Sequence, residues 1–433
     1  MRTVFLILAA ALLLSGCVMA TSFTGAQTRG RQSTRVANNF PGADLGTKIN
    51  NADRDLGTSP GEILVNGGGT ISTQVILSPG HTLRFSAGTY TLGTALLWEG
   101  AFLLKSRTSV VGSGWDTVIV EPAKTGWIVF QSFNDIRAQP THDGTDSDIH
   151  ISNLQIKGAN PGVDGGVRQT VSLGNCHRCR VESLWLNGTG VIGVQAGGGP
   201  FGGNYAEDVT IRKNLFTRVA SQAVAVVNGR DVKIDGNTFK ESGRCCLQSM
   251  TAIDLEPNDP HDIIRNIEIT NNTIDSTNSN FLHGNGILVQ NGVRTSGFGP
   301  VLVKDNTVIG GGLIPNSSGF VAAGIYITAF TQDVKVINNT VSRVAHSGIR
   351  LENTTRNYVS GNKLISTGTG GILSFEITNT TDSQIFNNVI LVNPNSPLGT
   401  EVIQEAGTSA RNSYKGNSGS KGSLAPNIVS GRP

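Results

Sequence analysis

Charged side chains are scarce in this chain of 433 residues, because Asp, Glu, Lys and Arg together make up only 15% of it. The formal net charge of +3 is too small for the basic surface that nucleic-acid binding requires, so we expect no nucleic-acid partner. Amphipathic helices are missing between the short apolar segments, which excludes the βαβ units of α/β proteins. The chain contains 55 glycines and 38% hydrophobic residues, a composition that fits many turns around a long core.

One short phrase recurs through residues 209–390 and consists of two alternating apolar residues, an asparagine and another apolar residue. The alternation is typical of a strand with one buried face. Copies are spaced 23 to 35 residues apart, and a period of this length predicts a solenoid. The asparagines at this position are Asn214, Asn237, Asn272, Asn306, Asn339, Asn362 and Asn388.

A second type of strand lies between the copies and usually begins with glycine, as at Gly286, Gly324 and Gly348. Without helices between the strands the chain must coil, and each coil stacks in parallel on the previous one at about 4.8 Å per layer. We therefore predict an all-β fold, a single-stranded right-handed parallel β-helix whose asparagine side chains form internal ladders. A second asparagine column follows the glycine-opened strands and comprises Asn175, Asn228, Asn291 and Asn353.

The beginning of the chain has the pattern of an export signal. Arg2 precedes an apolar run, from Val4 to Leu14, that is too short to span a membrane permanently. The run ends in Leu14-Ser15-Gly16-Cys17, which resembles the lipobox of bacterial lipoproteins. That resemblance implies a signal peptide over residues 1–17, a lipid on Cys17 and a protein at the outer membrane or cell surface, held to the membrane only by its lipid. A periplasmic or secreted protein, cleaved near Ala20, is the alternative.

Residues 18–40 lack periodicity and are predicted to form a flexible tether. Residues 41–122 follow with a helix, capped by Asp44, and then with a glycine-rich strand, a Gly-Thr-Tyr turn and a Gly-x-Gly corner. This order resembles the N-terminal part of the pectate-lyase-like superfamily, and the resemblance implies a capped β-helix without naming a substrate. Regular coils are expected over residues 123–406, and residues 407–433 are expected to cover the far end as a tail. We expect a monomer, with an oligomer of unknown size as the alternative.

Four cysteines other than Cys17 need a structural interpretation. Cys176 and Cys179 have the spacing of a redox pair, but Cys179 stands at an inward position, which favours a buried structural thiol. A zinc site that also includes Cys245 and Cys246 would have to cross about two coils, roughly 10 Å, and is rejected. A disulfide between these last two neighbours is an alternative in an exported protein.

The outward side chains of the glycine-opened strands form two columns. Asp254 and Glu256 are two residues apart on one strand, so their carboxylates are expected about 6.6 Å apart, near the spacing in an inverting glycosidase. The same pair would suit Ca²⁺, which is the one cofactor we consider, and a solvated face is the structural alternative. The first column is Ala225, Asp254, Leu288, Tyr326 and Arg350, and the second column is Val227, Glu256, Gln290, Thr328 and Glu352.

Cationic side chains flank these columns. Histidines precede the strand in two coils, and arginines recur in the turn after it. Together with the columns they predict a groove that binds sugars. The predicted substrate-binding residues are His283, Gln290, Arg294, His346, Glu352 and Arg356.

The motif Asp259-Pro260-His261-Asp262 is similar to the Asp-Pro-His-Asp motif of mannuronan C5-epimerases. The resemblance implies that His261 transfers the proton at C5 of a uronate, with Asp259 as its carboxylate partner. The motif does not directly follow a Tyr-Gly-Phe strand here, as it does in that family. Because Pro and Asp are ordinary turn residues, a simple turn is the favoured interpretation.

Removal of the weakly acidic proton next to a uronate carboxylate requires a base and a cation that neutralises the carboxylate. The Asn-Thr-Asp, Asp-Asp and Gly-His-Gly runs of pectin hydrolases are missing from the sequence, which disfavours hydrolysis. We therefore predict a polysaccharide lyase that acts on an acidic polysaccharide by β-elimination. A non-catalytic carbohydrate-binding or envelope scaffold protein, a C5-epimerase and a glycoside hydrolase are the alternatives. The predicted catalytic residues are Asp254, Glu256, His261, Tyr326 and Arg350.

Overall fold

The structure is a computed structural model that describes residues 33–93, 100–121, 128–135, 144–158, 169–198, 203–242, 251–277, 284–311, 323–368, 374–392 and 401–429. Successive coils each contribute one strand to each of three long sheets, always in the same chain order. Neighbouring strands are parallel, except for the terminal pair Ser418–Gly419 and Gly422–Ser423. The predicted right-handed parallel β-helix is confirmed.

The three long sheets and one short sheet have the following strands. The first sheet contains Ser33–Val36, Gly61–Val65, His81–Phe85, Ser109–Gly112, His150–Ser152, Arg180–Glu182, Thr210–Arg212, Lys233–Asp235, Ile267–Thr270, Val301–Lys304, Val334–Ile337, Tyr358–Ser360, Gln384–Phe386 and Ser413–Lys415. The second sheet contains Gly69–Ile71, Gly88–Leu92, Thr117–Val120, Gln155–Lys157, Trp185–Asn187, Leu215–Thr217, Thr238–Lys240, Thr273–Asp275, Thr307–Ile309, Thr340–Ser342, Lys363–Ile365, Val389–Leu391, Ser418–Gly419 and Gly422–Ser423. The third sheet contains Val75–Leu77, Phe102–Leu104, Phe130–Ser132, Gln169–Leu173, Ile192–Ala196, Gln222–Val226, Ile253–Leu255, Ile287–Gln290, Ala323–Thr328, Ser347–Glu352, Phe375–Thr378, Ile403–Ala406 and Asn427–Val429. The short sheet contains Asp146–Ser147, Cys176–His177, Ala206–Glu207, Gly229–Arg230, Ile263–Arg265 and Gly297–Phe298.

The asparagine ladder lies inside the coil, where the second sheet follows the first. Asn306 shows the pattern: its Nδ2 donates to Asn339 Oδ1 at 2.9 Å, and its Oδ1 accepts from the backbone N–H of Asn272 at 3.0 Å. The same bonds continue to Asn417, one coil beyond the last copy recognised in the sequence. The second column differs, because its side chains mainly bond turn backbone, as when Asn228 Oδ1 accepts from Ile263 N–H at 2.9 Å. The internal ladder is confirmed for the first column.

A single helix, Leu45–Leu56, packs against the first strands of all three long sheets. Asp44 caps it by accepting the Thr47 N–H at 3.1 Å. Burial opposes ionisation of Asp44, but the hydrogen bonds from Thr47, Thr73 and Ser72 outweigh it and lower the pKa of this carboxyl. The buried face consists of Leu45, Ile49, Ala52 and Leu56, as predicted.

Cys176 and Cys179 are joined by a disulfide, so the expectation of a structural thiol is wrong. The inward position of Cys179 is confirmed, and Cys176 is equally buried. The inward register of Cys179 could not distinguish a free thiol from a disulfide, because Cys176, three residues earlier, also places its sulfur inside. Cys245 and Cys246 lie outside the described residues.

Both ends of the solenoid are more regular than the sequence suggests. Ser33–Val36, within the predicted tether, pairs with Gly61–Leu64 and covers the edge of the first coil. Ser413–Lys415, within the predicted tail, continues the first sheet. In the described part of the chain, no helix has the length and hydrophobicity needed to cross a bilayer.

Candidate active site

The pairing of the third sheet places the first column as the sequence predicts. Ala225 pairs with Asp254, Asp254 with Leu288, Leu288 with Tyr326, and Tyr326 with Arg350. We call the outward side chains of this sheet, from Phe130–Ser132 to Phe375–Thr378, the outer wall. The first column extends along it to Gln131, Ser172, Gln195 and Glu376, which sequence reasoning missed.

The outer wall is unusual because its polar side chains are buried. Gln131 and Ser172 are 0% exposed, Gln195 is 5% exposed and Asp254 is 0% exposed. Several of their atoms have no hydrogen-bond partner, including Gln131 Nε2, Gln195 Oε1 and Asp254 Oδ1. Unpaired buried polar atoms are rare in stable folds and mark sites where a ligand or water completes the bonding. The coils of Gln131 and Ser172 lack the glycine that opens the strand, whereas the coil of Gln195 has it at Gly193, so the sequence did carry a signal for Gln195.

Asp254 and Glu256 form a hydrogen-bonded carboxyl pair. Gln222 Nε2 donates to Asp254 Oδ2 at 2.9 Å and lies 3.4 Å from Glu256 Oε2, while Gln290 also bonds the pair. Burial raises the pKa of both carboxyls, and for Asp254 the neighbouring Glu256 charge raises it further. The pair therefore retains a shared proton into a pH range in which ordinary carboxyls have lost theirs.

The predicted spacing of about 6.6 Å is wrong for these carboxyl groups, because a hydrogen bond joins them. Strand rise fixes the Cα positions only, and the buried side chains lean together to share a proton. A direct hydrogen bond leaves no room for the water that an inverting glycosidase places between its two carboxyls.

Ca²⁺ fits this pair poorly. It requires six to eight oxygen ligands, whereas Asp254 and Glu256 supply two carboxyl groups and Gln222 directs an N–H donor toward them. Among the residues that the structure describes, no group of three or more His, Cys, Asp or Glu side chains could hold a metal.

Three coils further along, a second group of side chains surrounds Arg350, and we call it the basic cluster. Arg350 Nη2 lies 3.1 Å from Glu352 Oε2, and its Nε lies 3.6 Å from Glu376 Oε2. The Tyr326 hydroxyl donates to Glu352, and its ring centroid is 5.1 Å from the Arg350 guanidinium. Arg350 is 9% exposed and Tyr326 8%, whereas Glu352 and Glu376 are partly exposed.

His346 completes the basic cluster and is 3% exposed. Its Nδ1 is buried and has no hydrogen-bond partner. Burial lowers the pKa of His346, and the charge of Arg350 lowers it further. The imidazole is therefore neutral at pH 7 and can accept a proton. Burial raises the pKa of Tyr326, which keeps its proton.

The carboxyl pair and the basic cluster are separate centres on one wall. Three strand spacings between Asp254 and Arg350 amount to about 14 Å. Leu288, Ala323 and Tyr326 form an apolar patch between them. One sugar residue cannot reach both centres, but a polymer can.

The other predicted site residues do not join these centres. His261 lies in a turn, 81% exposed, with its Nδ1 2.7 Å from Asp259 Oδ1. Arg356 binds Asp333 through two hydrogen bonds of 2.9 and 2.8 Å. Arg294 places its guanidinium 3.7 Å from the ring centroid of Phe330. His283 and Cys17 lie outside the described residues.

Comparisons with known proteins agree with this architecture. A family model described as "right handed beta helix region" matches residues 142–320. No curated protein sequence matches the chain. A GH87 α-1,3-glucanase from Streptomyces thermodiastaticus superposes with a TM-score of 0.58 at 13% identity, covering 89% of this chain and 68% of the glucanase.

Two further solved structures are similar at the same level. A family 28 exopolygalacturonase from Yersinia enterocolitica gives a TM-score of 0.53 at 11% identity, covering 93% of this chain and 79% of the enzyme. The tailspike protein of E. coli bacteriophage HK620, in complex with a pentasaccharide, gives a TM-score of 0.53 at 14% identity, covering 88% of this chain and 64% of the tailspike. At these identities the comparisons establish the fold alone, a right-handed parallel β-helix.

Proposed function

We propose that the protein cleaves an acidic, uronate-containing polysaccharide by β-elimination in the basic cluster of the outer wall. The observation that carries the proposal is the unpartnered, buried Nδ1 of His346, which lies within the field of the Arg350 charge, while Arg350 itself lies over the ring of Tyr326. A neutral histidine, a protonated tyrosine and an arginine in one cluster are a base, an acid and a charge neutraliser. Those are the three groups that elimination next to a carboxylate requires.

The extent of the outer wall supports a polymeric substrate. Its first column runs through nine neighbouring strands, from Gln131 to Glu376, and spans about 38 Å at the usual strand spacing. Its buried atoms without partners would bind sugar hydroxyls along this length. The outer faces of the other two sheets carry no comparable column of buried, unpartnered polar atoms among the described residues.

The reaction assigns one step to each group. Arg350 exchanges its contact with Glu376 for the uronate carboxylate, and His346 Nδ1 removes the C5 proton. The electron pair of that C–H bond forms the C4–C5 double bond as the C4–O bond breaks. The departing oxygen takes the proton of the Tyr326 hydroxyl, and the proton on His346 returns to Tyr326 through solvent. The buried setting strengthens these interactions, because few waters compete for them.

The test is incubation with polygalacturonate, alginate and hyaluronan while the ultraviolet absorbance of an unsaturated uronate is recorded. His346→Gln should lower kcat at least about 100-fold, and Tyr326→Phe should have a similar effect. The matched control is Arg411→Gln, whose arginine is ion-paired with Asp382 on the surface and should behave like wild type. Absence of an unsaturated product with the wild-type protein, or full activity of His346→Gln, would overturn the proposal.

A pH profile adds an independent check on the base. His346 must be neutral to accept a proton, and its pKa is lowered. As the pH is decreased, kcat should therefore stay constant through the usual histidine pKa of about 6.5 and decline only in more acidic solution. A decline that begins near pH 7 would argue against His346 as the base.

Hydrolysis is the second candidate, and the positions of Glu352 and Glu376 favour it. Both carboxyl groups bind the same guanidinium, which allows the separation of about 5–9.5 Å found between glycosidase carboxyls. Glu376→Gln separates the two reactions. In a lyase it frees Arg350 for the substrate carboxylate and lowers KM with kcat retained, whereas in a hydrolase it abolishes kcat. Retention of glycan without any cleavage would indicate a binding protein instead.

The location of the protein remains part of this proposal. The lipobox-like Leu14-Ser15-Gly16-Cys17 supports an exported lipoprotein whose substrate is an extracellular or envelope polysaccharide. Cys17→Ala should release the protein from membranes into the soluble fraction while cleavage activity stays unchanged. Membrane retention of this variant would exclude Cys17 as the anchor.

A further inference from the structure

Phe330 is an exposed aromatic residue on a strained turn. It is 47% exposed, and it directly follows the strand Ala323–Thr328 of the third sheet in the chain. Ala329 and Phe330 have φ angles of 54° and 64°. Among the described residues they are the one consecutive non-glycine pair in the left-handed region, and Phe330 is the one aromatic residue there.

The fold gives no reason for phenylalanine at this position. Bulky residues rarely adopt a left-handed conformation, whereas glycine and asparagine do so readily. The turn itself is held by backbone, since Phe330 N–H donates to Asn353 O at 2.8 Å and Asn291 N–H donates to Ala329 O at 3.1 Å. Asparagine would preserve these bonds with less strain. Strain of this kind is typical of functional positions.

Arg294 supplies an available positive charge next to this ring. Its exposed guanidinium stacks on Phe330, with 3.7 Å between the Cζ atom and the ring centroid. The related turn arginines are occupied, because Arg230 pairs with Glu207 and Arg356 with Asp333. Arg294 has no ion-pair partner among the described residues. Its charge is therefore free for an anionic ligand.

Arg294 belongs to the coil of Leu288, between the carboxyl pair and the basic cluster, and Phe330 belongs to the next coil, which carries Tyr326 of the basic cluster. Arg294 lies four positions after Gln290 of the second column, and Phe330 lies two positions after Thr328 of the same column. The second column is the partly exposed side of the outer wall at both positions. A polymer that occupies the wall can therefore reach this turn.

We propose that Phe330 and Arg294 form a subsite for one acidic sugar residue of the polysaccharide. The apolar face of the sugar ring stacks on Phe330, and its carboxylate binds the guanidinium of Arg294 through charge-assisted hydrogen bonds. This inference rests on the proposed function for the choice of an acidic polymer. It adds a place where the carboxylate is recognised outside the basic cluster.

The test measures affinity by calorimetry for oligogalacturonate, oligomannuronate and oligoguluronate and for a methyl-esterified form of the tightest ligand. Arg294→Gln should weaken binding of that ligand at least about tenfold and binding of its ester much less. Phe330→Asn should weaken binding of both. Arg411→Gln, which removes an ion-paired arginine from a later turn, should change neither.

Thermal unfolding separates a binding role of Phe330 from a structural one. If the aromatic side chain serves the ligand, Phe330→Asn should unfold at the same Tm as wild type or higher, because asparagine tolerates the left-handed turn. Ala329→Gly should also raise Tm while affinity stays unchanged.

The outcomes identify which statement fails. Wild-type affinity for none of the three oligouronates would overturn the acidic substrate of the proposed function, and the subsite with it. Wild-type affinity that Arg294→Gln and Phe330→Asn leave intact would overturn the subsite alone. A lower Tm of Phe330→Asn with unchanged affinity would assign the ring to the fold.

Discussion

Two rows of buried polar side chains run along the coil axis, one inside and one outside. In the inner ladder each amide is paired: Asn306 Nδ2 donates to Asn339 Oδ1 and Ile269 O, and its Oδ1 accepts from Asn272. On the outer wall, Asp254 Oδ1 and His346 Nδ1 are equally buried but have no partner. The polar groups of the inner ladder are satisfied within the fold, whereas these two atoms of the outer wall leave a hydrogen bond to be made, as proposed here by a ligand.

The largest change in stability is expected from a substitution in the asparagine ladder, and it would sharpen the contrast between the inner and the outer row. Asn306→Leu removes the shared acceptor of both Asn272 donors and one of the two donors to Asn339 Oδ1, which leaves buried polar atoms unsatisfied. The free energy of unfolding should fall by about 3 kcal/mol or more. Guanidinium chloride denaturation measures it. A loss below about 1 kcal/mol would show that the ladder is not the stabilising row.

A smaller effect, an increase in the free energy of unfolding, is expected for the substitution Asp254→Asn in the carboxyl pair. The folded-state pKa of Asp254 is raised above its unfolded value, so its contribution to stability is complete below about pH 4 and is lost as the pH rises through the folded-state pKa. Asp254→Asn removes this loss. The variant should be more stable than wild type at pH 8, with the difference disappearing near pH 4.

Denaturation curves at pH 4, 6 and 8 give the free energy of unfolding of wild type and of Asp254→Asn. A wild-type stability that does not decline with pH, or a variant that is less stable at pH 8, would mean that the pair is ionised and compensated. Glu256→Gln should change the pH dependence in the same direction, because the two carboxyls share one proton.

The smallest effect on stability is expected at Gln195. Its Oε1 has no partner, and its Nε2 makes one hydrogen bond, of 2.9 Å, to Gly197 O. Gln195→Leu should change the free energy of unfolding by only about 1 kcal/mol, because Gly197 O loses one donor while the unpartnered Oε1 is no longer buried. Affinity for the polysaccharide should fall severalfold. A large destabilisation would place Gln195 with the ladder rather than with the wall.

The sequence predicted the parts of the structure that repetition encodes. The asparagine period gave the coil, strand alternation gave the order of the first column, and Asp44 before Leu45, Ile49 and Leu56 gave the capped helix. Side-chain contacts within a coil were harder to predict from the sequence. Strand rise placed Asp254 and Glu256 apart, although their side chains lean together, and inward register could not distinguish a thiol from the disulfide of Cys179.

Side-chain partners in turns escaped prediction for a different reason. Arg294 and Arg356 occupy similar turns in the sequence, but Arg356 meets Asp333 of the neighbouring coil, whereas Arg294 meets Phe330. Which residue stands opposite depends on the length of each coil, and those lengths vary. Gln131, Ser172 and Gln195 were missed because only the strand pairing shows that they continue the column of Asp254.

Because the coils are stacked, each coil adds one layer to the length of the outer wall. Asn214 and Asn237 are 23 residues apart, and the coil between them contributes only Ala225 to the first column. Excising that coil would bring Gln195 next to Asp254 and shorten the wall by about 4.8 Å, while the residues around Arg350 keep their neighbours. Under the proposed function, adding or deleting whole layers should change the preferred chain length of the polysaccharide without altering the residues around Arg350.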